Sequence, residues 1–345
     1  MVHFALSEDQ LFLQKTAEDV SRQLFGDEQV RSALTDDGTL RSRAWSEFAQ
    51  LDLLGLLVPE SADGAGASLT DACVVAEVLG RHTAPIPYVG TAVAAAALLV
   101  HGGGDSQVLA DLCAGAPVSV LLDNELGWPT GEATISLGWG LGAQGVVIVA
   151  PDQAATVALT GVTAIDAADP LQPLYAIDGV STMRGESEGL RRARAMAWVG
   201  AAATLTGLAD GALRQAVEYA KQREQYGRPI GSFQAIQHIC ADMLVAVETA
   251  RSVTYGASWE VEHAPIAQAE RAGAAAKAHA ASAALRTCEN GIQVLGGIGV
   301  TWEHDAHLRL RTAHTFADAF GSVTTPLALL AKSAFDAAAF EPDTN

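Results

Sequence analysis

The second half of the sequence contains four long stretches with the composition and apolar periodicity of α-helices. They span 189–222, 234–262, 265–291 and 325–340. Alanine and leucine, which favour helices, are abundant there, whereas aromatic residues make up only 6% of the chain. Long helices joined by short loops pack side by side in antiparallel order. The pattern therefore predicts a C-terminal four-helix bundle over residues 188–345.

The first third is also predicted to be helical, and two helix starts stand out. In LSEDQLFLQKTAEDVSRQLF, Ser7 and Gln10 have the spacing of a capping box, and apolar residues recur along one face. In SLTDACVVAEVLGRH, Ser68 and Asp71 are placed to cap a second helix. WSEFAQLDLLGLLVPE is interpreted as another helix. Together these segments predict an N-terminal helical domain over 1–113.

Between these helical parts, short runs of β-branched residues replace the helical periodicity. VSVLLD (118–123), QGVVIVAP (144–151) and ATVALTG (155–161) are bounded by Gly, Pro, Asn and Asp, as strands commonly are. PTGEATISLGWGLGAQ, between the first two runs, is interpreted as a loop. The sequence thus predicts a small β-domain over 114–187. The expected fold class is α+β and mostly α, with a helical domain, a small middle β-domain and a four-helix bundle.

The chain is strongly acidic, with 40 Asp and Glu against 21 Lys and Arg and a formal net charge of −19. Such a surface repels polyanions, so neither nucleic acid nor a membrane is expected as a partner. Two local basic runs, RRARA (191–195) and HLRLR (307–311), could still contact phosphate groups. Solvent-facing helix surfaces are the commoner cause of such runs.

Cysteine spacing and the lack of a targeting pattern indicate a cytoplasmic protein. Cys73, Cys113, Cys240 and Cys288 lie far apart and form no CxxC pair, as expected for free thiols in a reducing compartment. MVHFALSEDQ lacks the basic and apolar regions of a signal peptide. The best apolar stretch, YVGTAVAAAALLV (88–100), is too short to span a bilayer.

Two segments carry most of the functional information. REQYGRPIGSFQAIQHICADM (223–243) precedes QVLGGIGVTWEHDAHLRLRTA (293–313), and both lie in the predicted helical half. In this order they resemble the acyl-CoA dehydrogenase family, as does LGLLVPESADGAGASLTDACVVAEVLGR near the N-terminus. The resemblance extends over most of the chain and is weakest in the β-domain.

The resemblance implies the chemistry of that family, which oxidises the Cα–Cβ bond of an acyl-CoA thioester. A carboxylate removes the α-proton, FAD accepts the β-hydride, and an electron-transfer flavoprotein reoxidises the flavin. The implied cofactor is therefore FAD, shared at a subunit interface. The implied partners are an acyl-CoA substrate, the electron-transfer flavoprotein and a neighbouring subunit.

By the same resemblance, the glycine-rich segment belongs to an arm that reaches across a dimer interface to FAD held mainly by the neighbouring subunit. Arg223 matches the arginine placed at the diphosphate, and a guanidinium suits phosphate oxygens. Gly296 and Gly297 allow the backbone to approach a ligand closely. The expected cofactor-binding residues are Arg223, Gln225, Tyr226, Gln234, Gln293, Gly296 and Gly297. The alternative is that these glycines merely let two helices join.

The half of the flavin site that the family carries on its β-domain has no counterpart here. VSVLLDNELGWPTG stands in place of the family's Thr-Glu-Pro-x-Ala-Gly-Ser-Asp-like loop. GLGAQGVVIVAPD stands in place of its Trp-Ile-Thr-like strand. We therefore expect that this chain does not hold FAD by itself.

Neither of the family's positions for the catalytic base carries a carboxylate. Counting without gaps from Glu303 puts Phe320 at the glutamate of the family's Tyr-Glu-Gly-Thr-like stretch. Counting back from Arg223 puts Ala197 at the alternative position on the first long helix, followed by Trp198 where an arginine is usual. No catalytic residue is therefore predicted in this chain.

Glu303 matches a family position that is not the base, and we expect it to cap the next helix or to pair with a basic side chain. With Asp305, His304 and His307 it could be imagined as a metal ligand. Nothing in the spacing fixes a metal geometry, so no metal site is predicted.

A retained flavin arm without a flavin loop or base resembles the smaller, degenerate subunit of heteromeric actinobacterial acyl-CoA dehydrogenases that act on CoA esters of steroid side chains. The expected assembly is an α2β2 heterotetramer with a second acyl-CoA dehydrogenase-like subunit. Two alternatives remain open. The chain could be a self-sufficient homo-oligomeric dehydrogenase that uses Glu303 or an unrecognised carboxylate, or a flavin-free acyl-CoA-binding or scaffold protein.

Overall fold

Six helices form the N-terminal part of the chain in the computed structural model, which describes residues 5–35, 38–128, 131–140 and 142–338. They are α1 (Glu8–Leu24), α2 (Asp27–Ser32), α3 (Thr39–Gln50), α4 (Leu69–Arg81), α5 (Ala96–His101) and α6 (Ser106–Cys113). Both predicted helix starts are confirmed, because Ser7 and Ser68 each form a reciprocal capping box with the residue three positions later.

The predicted helix through WSEFAQLDLLGLLVPE is only partly correct. α3 ends at Gln50, and the following residues turn instead of continuing the helix. Asp52 has a left-handed φ of 57°, which an α-helix does not accommodate. The leucines after it, including Leu54, are buried as core side chains without helical structure.

The middle of the chain forms a six-stranded mixed sheet. Its strands are β1 (Val118–Leu122), β2 (Glu132–Leu137), β3 (Gln144–Ala150), β4 (Gln153–Ala158), β5 (Thr163–Ala164) and β6 (Leu174–Ser181), in the order β4-β3-β1-β2-β6-β5. β1 and β3 are parallel, and the other neighbouring strands are antiparallel. The three predicted strands correspond to β1, β3 and β4.

The interpretation of PTGEATISLGWGLGAQ as a loop is wrong for its EATISL part, which is β2 near the centre of the sheet. Ala133, Ile135 and Leu137 are buried, and Ser136 donates a 2.8 Å hydrogen bond to Ser119 of β1. The flanking glycines hide this alternation in the sequence, because they resemble turn residues. Pairing with β1, the preceding strand, and with β6, which lies about 40 residues later, makes this segment a strand.

Five helices follow the sheet in the described part of the chain. They are α7 (Glu188–Gln222), α8 (Gln234–His263), α9 (Ile266–Leu295), α10 (Ala306–Asp318) and α11 (Thr324–Ala338). The four predicted segments match α7, α8, α9 and α11. α10 adds a fifth, shorter helix that packs on α7 and α9.

The relative directions of the long helices bring three helix ends together at one end of the bundle. Gly273 of α9 lies against Ala195 of α7, and Gly291 lies against Ala212, so α7 and α9 run parallel. α8 runs the opposite way, because Arg192 near the start of α7 donates to a carbonyl near the end of α8. The end of α7, the start of α8 and the end of α9 therefore lie at the same end of the bundle.

The N-terminal helices dock on the bundle through a close crossing of α4 and α7. A Cβ atom at Gly80 would overlap the Thr204 carbonyl, and one at Gly207 would overlap the Glu77 carbonyl. Both positions therefore need glycine for the helix backbones to approach each other.

A partly buried ion-pair network surrounds this crossing. Arg81 of α4 pairs with Glu18 of α1 at 2.8 Å and with Asp210 of α7 at 2.5 Å. Arg251 of α8 pairs with Glu77 of α4 at 2.9 Å. Four helices are thus joined by charged groups that each have a partner, which offsets the cost of their desolvation.

The apolar stretch 88–100 lies inside the fold. Val89–Ala95 is π-helical and leads directly into α5, and its residues are buried. Across the described ranges, no helix combines the length and hydropathy needed to cross a membrane.

Candidate functional site

The segment predicted to contact the flavin diphosphate is a short hairpin between α7 and α8. β7 (Glu224–Gln225) pairs with β8 (Arg228–Pro229), and Tyr226 and Gly227 form the turn with positive φ. Arg223 closes the hairpin, because its carbonyl accepts a 2.7 Å hydrogen bond from the Ile230 amide. The hairpin projects from the chain, and the Tyr226 side chain is 94% exposed.

The glycine-rich segment follows α9 directly. Gly296 ends α9 with φ 66° and ψ −140°, a conformation that essentially only glycine adopts. Residues Gly296–Val300 then form a 3-10 turn, in which Ile298 and Val300 are exposed. Gly297 has an ordinary φ, and a Cβ atom there would meet nothing within 4 Å. The fold of the chain itself therefore gives no reason for glycine at 297.

The predicted cofactor-binding residues lie at one end of the bundle, and each of them is exposed to solvent. The hairpin carries Arg223, Gln225 and Tyr226, the first residue of α8 is Gln234, and the end of α9 carries Gln293, Gly296 and Gly297. They form a solvent-facing surface without an enclosing pocket. A second surface would be needed to enclose a ligand held against these residues, which fits an arm that completes a flavin site elsewhere.

Glu303 lies just beyond this surface, and its predicted role as a helix cap is wrong. The N-cap of α10 is Asp305, whose side chain makes no capping hydrogen bond. Arg31 of α2 donates to the carbonyls of Trp302 and Glu303 at 3.1 and 2.9 Å and pairs with Asp305 at 2.5 Å. Glu303 thus engages a basic side chain through its backbone, while its carboxylate is exposed.

The two histidines beside Glu303 each have a contact within the chain. His304 Nδ1 accepts the Ala306 amide at 3.1 Å, and the His307 ring stacks edge-on against Trp302 at 4.5 Å. Among the residues that the structure describes, no group of three potential ligands is placed to hold a metal ion. The basic run HLRLR also has internal partners, since Arg311 donates to the Ala168 carbonyl at 2.6 Å.

The two residues that the sequence resemblance predicts at the family's base positions, Phe320 and Ala197, are both apolar and buried. Phe320 and Ala197 are 0% exposed, and Trp198 is 1% exposed. The Trp198 indole donates a 2.9 Å hydrogen bond to the Phe320 carbonyl, and the Phe320 ring lies 6.3 Å from that of Trp128. Aromatic side chains therefore fill the space around Phe320.

A second buried donor holds the same turn. Lys277 of α9 is 0% exposed and donates a 2.6 Å hydrogen bond to the Ala319 carbonyl. Burial lowers the pKa of Lys277 to about 7, although nearby Asp318 opposes this shift. This lysine gave no functional signal in the sequence, because it lies within an alanine-rich helical run.

Two carboxylates near Phe320 were also missed by the sequence interpretation. Asp123 and Glu125 line a cavity of about 360 Å³ together with Trp128 and Phe320. Asp123 accepts backbone amides of Glu125 and Gly127 at 2.9 and 2.7 Å, so it already stabilises the turn after β1. Glu125 is exposed. Of these two carboxylates, Asp123 is the less exposed, and it is therefore the candidate for an unrecognised base.

Comparison with known proteins identifies the family from both ends of the chain. The N-terminal domain of acyl-CoA dehydrogenases matches residues 7–115, and the C-terminal domain matches residues 187–335. The matched segments leave out all six strands of the sheet, which lie between residues 118 and 181.

Individual relatives agree with this match. Acyl-CoA dehydrogenase IpdE2 of Mycobacterium tuberculosis is 34% identical over 89% of this chain and 91% of its own length. A solved variant of the Tcur3481-Tcur3483 steroid ACAD is 25% identical, with a TM-score of 0.83 over 96% of this chain and 99% of its own. The fold is also that of the ChsE4-ChsE5 complex from Mycobacterium tuberculosis (23% identity, TM-score 0.80, 99% and 100% covered). The chain belongs to the acyl-CoA dehydrogenase family, whose cofactor is FAD.

Proposed function

We propose that this chain is one subunit of a heteromeric, FAD-dependent acyl-CoA dehydrogenase that desaturates an acyl-CoA thioester between Cα and Cβ. It completes the partner's FAD site across the interface and has no base of its own. Bound FAD supplies the hydride-accepting chemistry of the family. The reduced flavin is reoxidised by an electron-transfer flavoprotein, and the complex is cytoplasmic.

The observation that carries the proposal is the burial of Phe320 and Ala197, the residues that the resemblance puts at the family's base positions. A base must lie within hydrogen-bond reach of the proton that it removes. Phe320 and Ala197 offer no acceptor side chain, and both are buried among apolar neighbours. The proton must then be removed by a carboxylate of another subunit.

The exposed arm supports the other half of the proposal. Arg223 would approach the diphosphate of FAD. Gln293 would approach the rest of the cofactor through its side-chain amide, and Gly297 would do so through its backbone. Gly297 supports this because nothing in its own chain excludes a side chain there. A partner surface against residue 297 would account for the missing Cβ.

The substrate is proposed to be a CoA ester of a steroid side chain. The support is the similarity to the Tcur3481-Tcur3483 protein, which is described as a steroid ACAD. Its name joins two designations, as expected for a protein made of two kinds of chain. We propose that this chain likewise pairs with a second acyl-CoA dehydrogenase-like chain, two copies of each forming a heterotetramer.

The decisive experiment compares the flavin spectrum of the chain purified alone with that of the chain co-expressed with an acyl-CoA dehydrogenase-like partner from its operon. We expect a colourless protein alone and a yellow, active complex after co-expression. A stoichiometric yellow homo-oligomer with dehydrogenase activity would contradict the heteromeric role. A complex that stays colourless would instead support a flavin-free scaffold.

Asp123 gives the self-sufficient alternative one specific observation in its favour, because this carboxylate lines the cavity beside Phe320. The Asp123→Asn variant distinguishes the heteromeric role from that of a self-sufficient dehydrogenase. The heteromeric proposal expects the complex to keep its turnover, with some loss of stability from the altered turn. Loss of α-proton exchange with intact flavin content would favour catalysis by this chain.

A further inference from the structure

A small cavity lies where the end of α4 meets α7, α10 and the loop before β6. About 10 Å³ of it can be occupied by the centre of a water molecule. Every residue that lines the cavity is buried, and Leu79, Ile86, Leu208 and Phe316 give it largely apolar walls. A cavity of this size holds one water molecule, provided that two to four polar groups face it.

Three hydroxyl groups from separate segments line this cavity. They are those of Thr83 just after α4, of Tyr88 before the π-helical stretch Val89–Ala95, and of Thr312 in α10. All three oxygens are closed to solvent, and none has a hydrogen-bond partner of ordinary geometry in the described part of the chain. Buried polar groups of this kind are costly and rare in folded proteins. Three of them around one cavity indicate a partner that they share.

The backbone of Thr83 gives a second reason to expect a ligand here. α4 ends in a Schellman motif, in which the Ala84 amide donates to the Leu79 carbonyl at 3.0 Å and the Thr83 amide donates to the Gly80 carbonyl at 2.9 Å. The left-handed position of this motif normally carries glycine, but here it carries Thr83, with φ 52°. A β-branched residue is strained in this conformation. The feature that threonine adds is its side chain, whose only polar atom lines the cavity.

Thr312 lies near a carboxylate as well as the cavity. Burial raises the pKa of Asp169 to about 6, while the Leu171 amide and the Thr312 hydroxyl oppose this rise. A threonine hydroxyl has one proton to donate and two lone pairs that accept. Thr312 can therefore donate towards Asp169 and still accept a hydrogen bond from a molecule in the cavity.

We propose that this cavity binds one water molecule as a permanent structural ligand, held by Thr83, Tyr88 and Thr312. The water accepts hydrogen bonds from the hydroxyls of Thr83 and Tyr88 and donates one to Thr312. Three hydrogen bonds are typical of a buried water. The water thus joins the end of α4 and the start of the π-helical stretch to α10, across the boundary between the N-terminal helices and the C-terminal bundle. Neither flavin nor a partner chain takes part in this site.

The direct test is a crystal structure of the chain, or of its complex, at a resolution that shows ordered water. We expect one density peak about 2.7–3.0 Å from the hydroxyl oxygens of Thr83, Tyr88 and Thr312. The peak should be lost in Thr83→Val and kept in Thr83→Ser. A dry cavity in the wild type, or hydroxyls that bond directly to each other or to backbone carbonyls, would overturn the proposal.

The same two variants separate the hydroxyl of Thr83 from its shape. Valine is as branched as threonine, so Thr83→Val keeps the backbone strain and removes only the hydroxyl. We expect it to raise the equilibrium constant for unfolding about tenfold in urea denaturation. Thr83→Ser should stay within about threefold, because relief of strain offsets the lost methyl group. If valine is tolerated as well as serine, the Thr83 hydroxyl has no bound partner.

A double-mutant cycle tests whether the hydroxyls share one water. In the background of Thr83→Val, the water is already lost, so Thr312→Val should raise the unfolding constant by a clearly smaller factor than in the wild type. Thr206→Val is the control, because this buried threonine of α7 lies outside the cavity lining and donates to the Ala202 carbonyl at 2.8 Å. Its factor and that of Thr312→Val should multiply within about twofold. If the factors of Thr83→Val and Thr312→Val also multiply, the two hydroxyls have separate partners and the shared water is excluded.

Discussion

The ammonium nitrogen of Lys277 lies 2.6 Å from the backbone carbonyl oxygen of Ala319, in a position closed to solvent. The next carbonyl, that of Phe320, accepts the Trp198 indole at 2.9 Å. α9 and α7 therefore each hold one peptide of the turn between α10 and α11. This turn carries Phe320, which the sequence resemblance predicts at the family's base position, and its two donors fix that side chain in the core.

Lys277 should give the protein a distinct pH dependence. Its folded-state pKa is about 7, below its ordinary value of 10.5, so the unfolded chain binds more protons between these two values. The free energy of unfolding should therefore rise with pH across this window. Lys277→Met removes the titrating group. The wild type should gain stability relative to Lys277→Met by at most about 1.4 kcal/mol per pH unit, measured by urea denaturation.

The control for this prediction is Lys221→Met, at the exposed end of α7. Its unfolding free energy should stay parallel to that of the wild type at every pH. A constant difference between wild type and Lys277→Met from pH 7 to 10 would show that Lys277 does not titrate in this window.

Phe320 should tolerate glycine better than alanine. Its φ is 65°, a left-handed value that costs an L-residue roughly 1–2 kcal/mol and costs glycine little. Both changes remove a buried ring, which costs about 3–5 kcal/mol. Phe320→Ala should therefore unfold more easily than Phe320→Gly, as measured by chemical denaturation. Equal stabilities would mean that the turn relaxes when the ring is lost.

The turn between α10 and α11 shows which parts of the structure can be predicted from the sequence and which cannot. The family motifs predict that Phe320 and Ala197 stand at the base positions, and periodicity predicts α7, α8, α9 and α11. Neither shows that Lys277 reaches Ala319, because this contact joins residues 42 positions apart in sequence. β2 was missed because its flanking glycines resemble turn residues and because one of its two partners, β6, lies far along the sequence.

Changing Arg223 to Gln should lower the flavin content of the complex. The change removes charge-assisted hydrogen bonds to phosphate, worth about 1.5–3 kcal/mol each, but keeps a polar side chain at this exposed position. We expect FAD loss on gel filtration, with little change in turnover per bound flavin. Arg43→Gln, at an exposed arginine of α3, is the control. Full FAD occupancy in Arg223→Gln would argue against a role at the diphosphate.

Gly297→Val tests the close approach at the glycine-rich turn. A Cβ at 297 meets no atom of its own chain, so the isolated chain should keep its melting temperature within about 2 °C. In the complex, the added side chain should block the covering surface and release flavin or partner. Gly131→Val is matched, since its Cβ also meets nothing within 4 Å and it lies on the β-domain. Equal behaviour of both variants in the complex would leave residue 297 without a ligand or partner contact.

Glu303→Gln decides whether this chain has a base of its own. The change keeps shape and hydrogen bonding but removes the charge, and the Glu303 backbone carbonyl remains available to Arg31. Loss of a true base lowers turnover by about 10²–10⁴-fold. Because the carboxylate is exposed and lies on the flavin-arm side of the bundle, we expect the complex with Glu303→Gln to keep its rate within a few-fold. Substitution of the partner's base should abolish turnover in the same assay. If Glu303→Gln instead stopped α-proton exchange while the flavin spectrum stayed intact, Glu303 would be the base and the chain would be catalytic by itself.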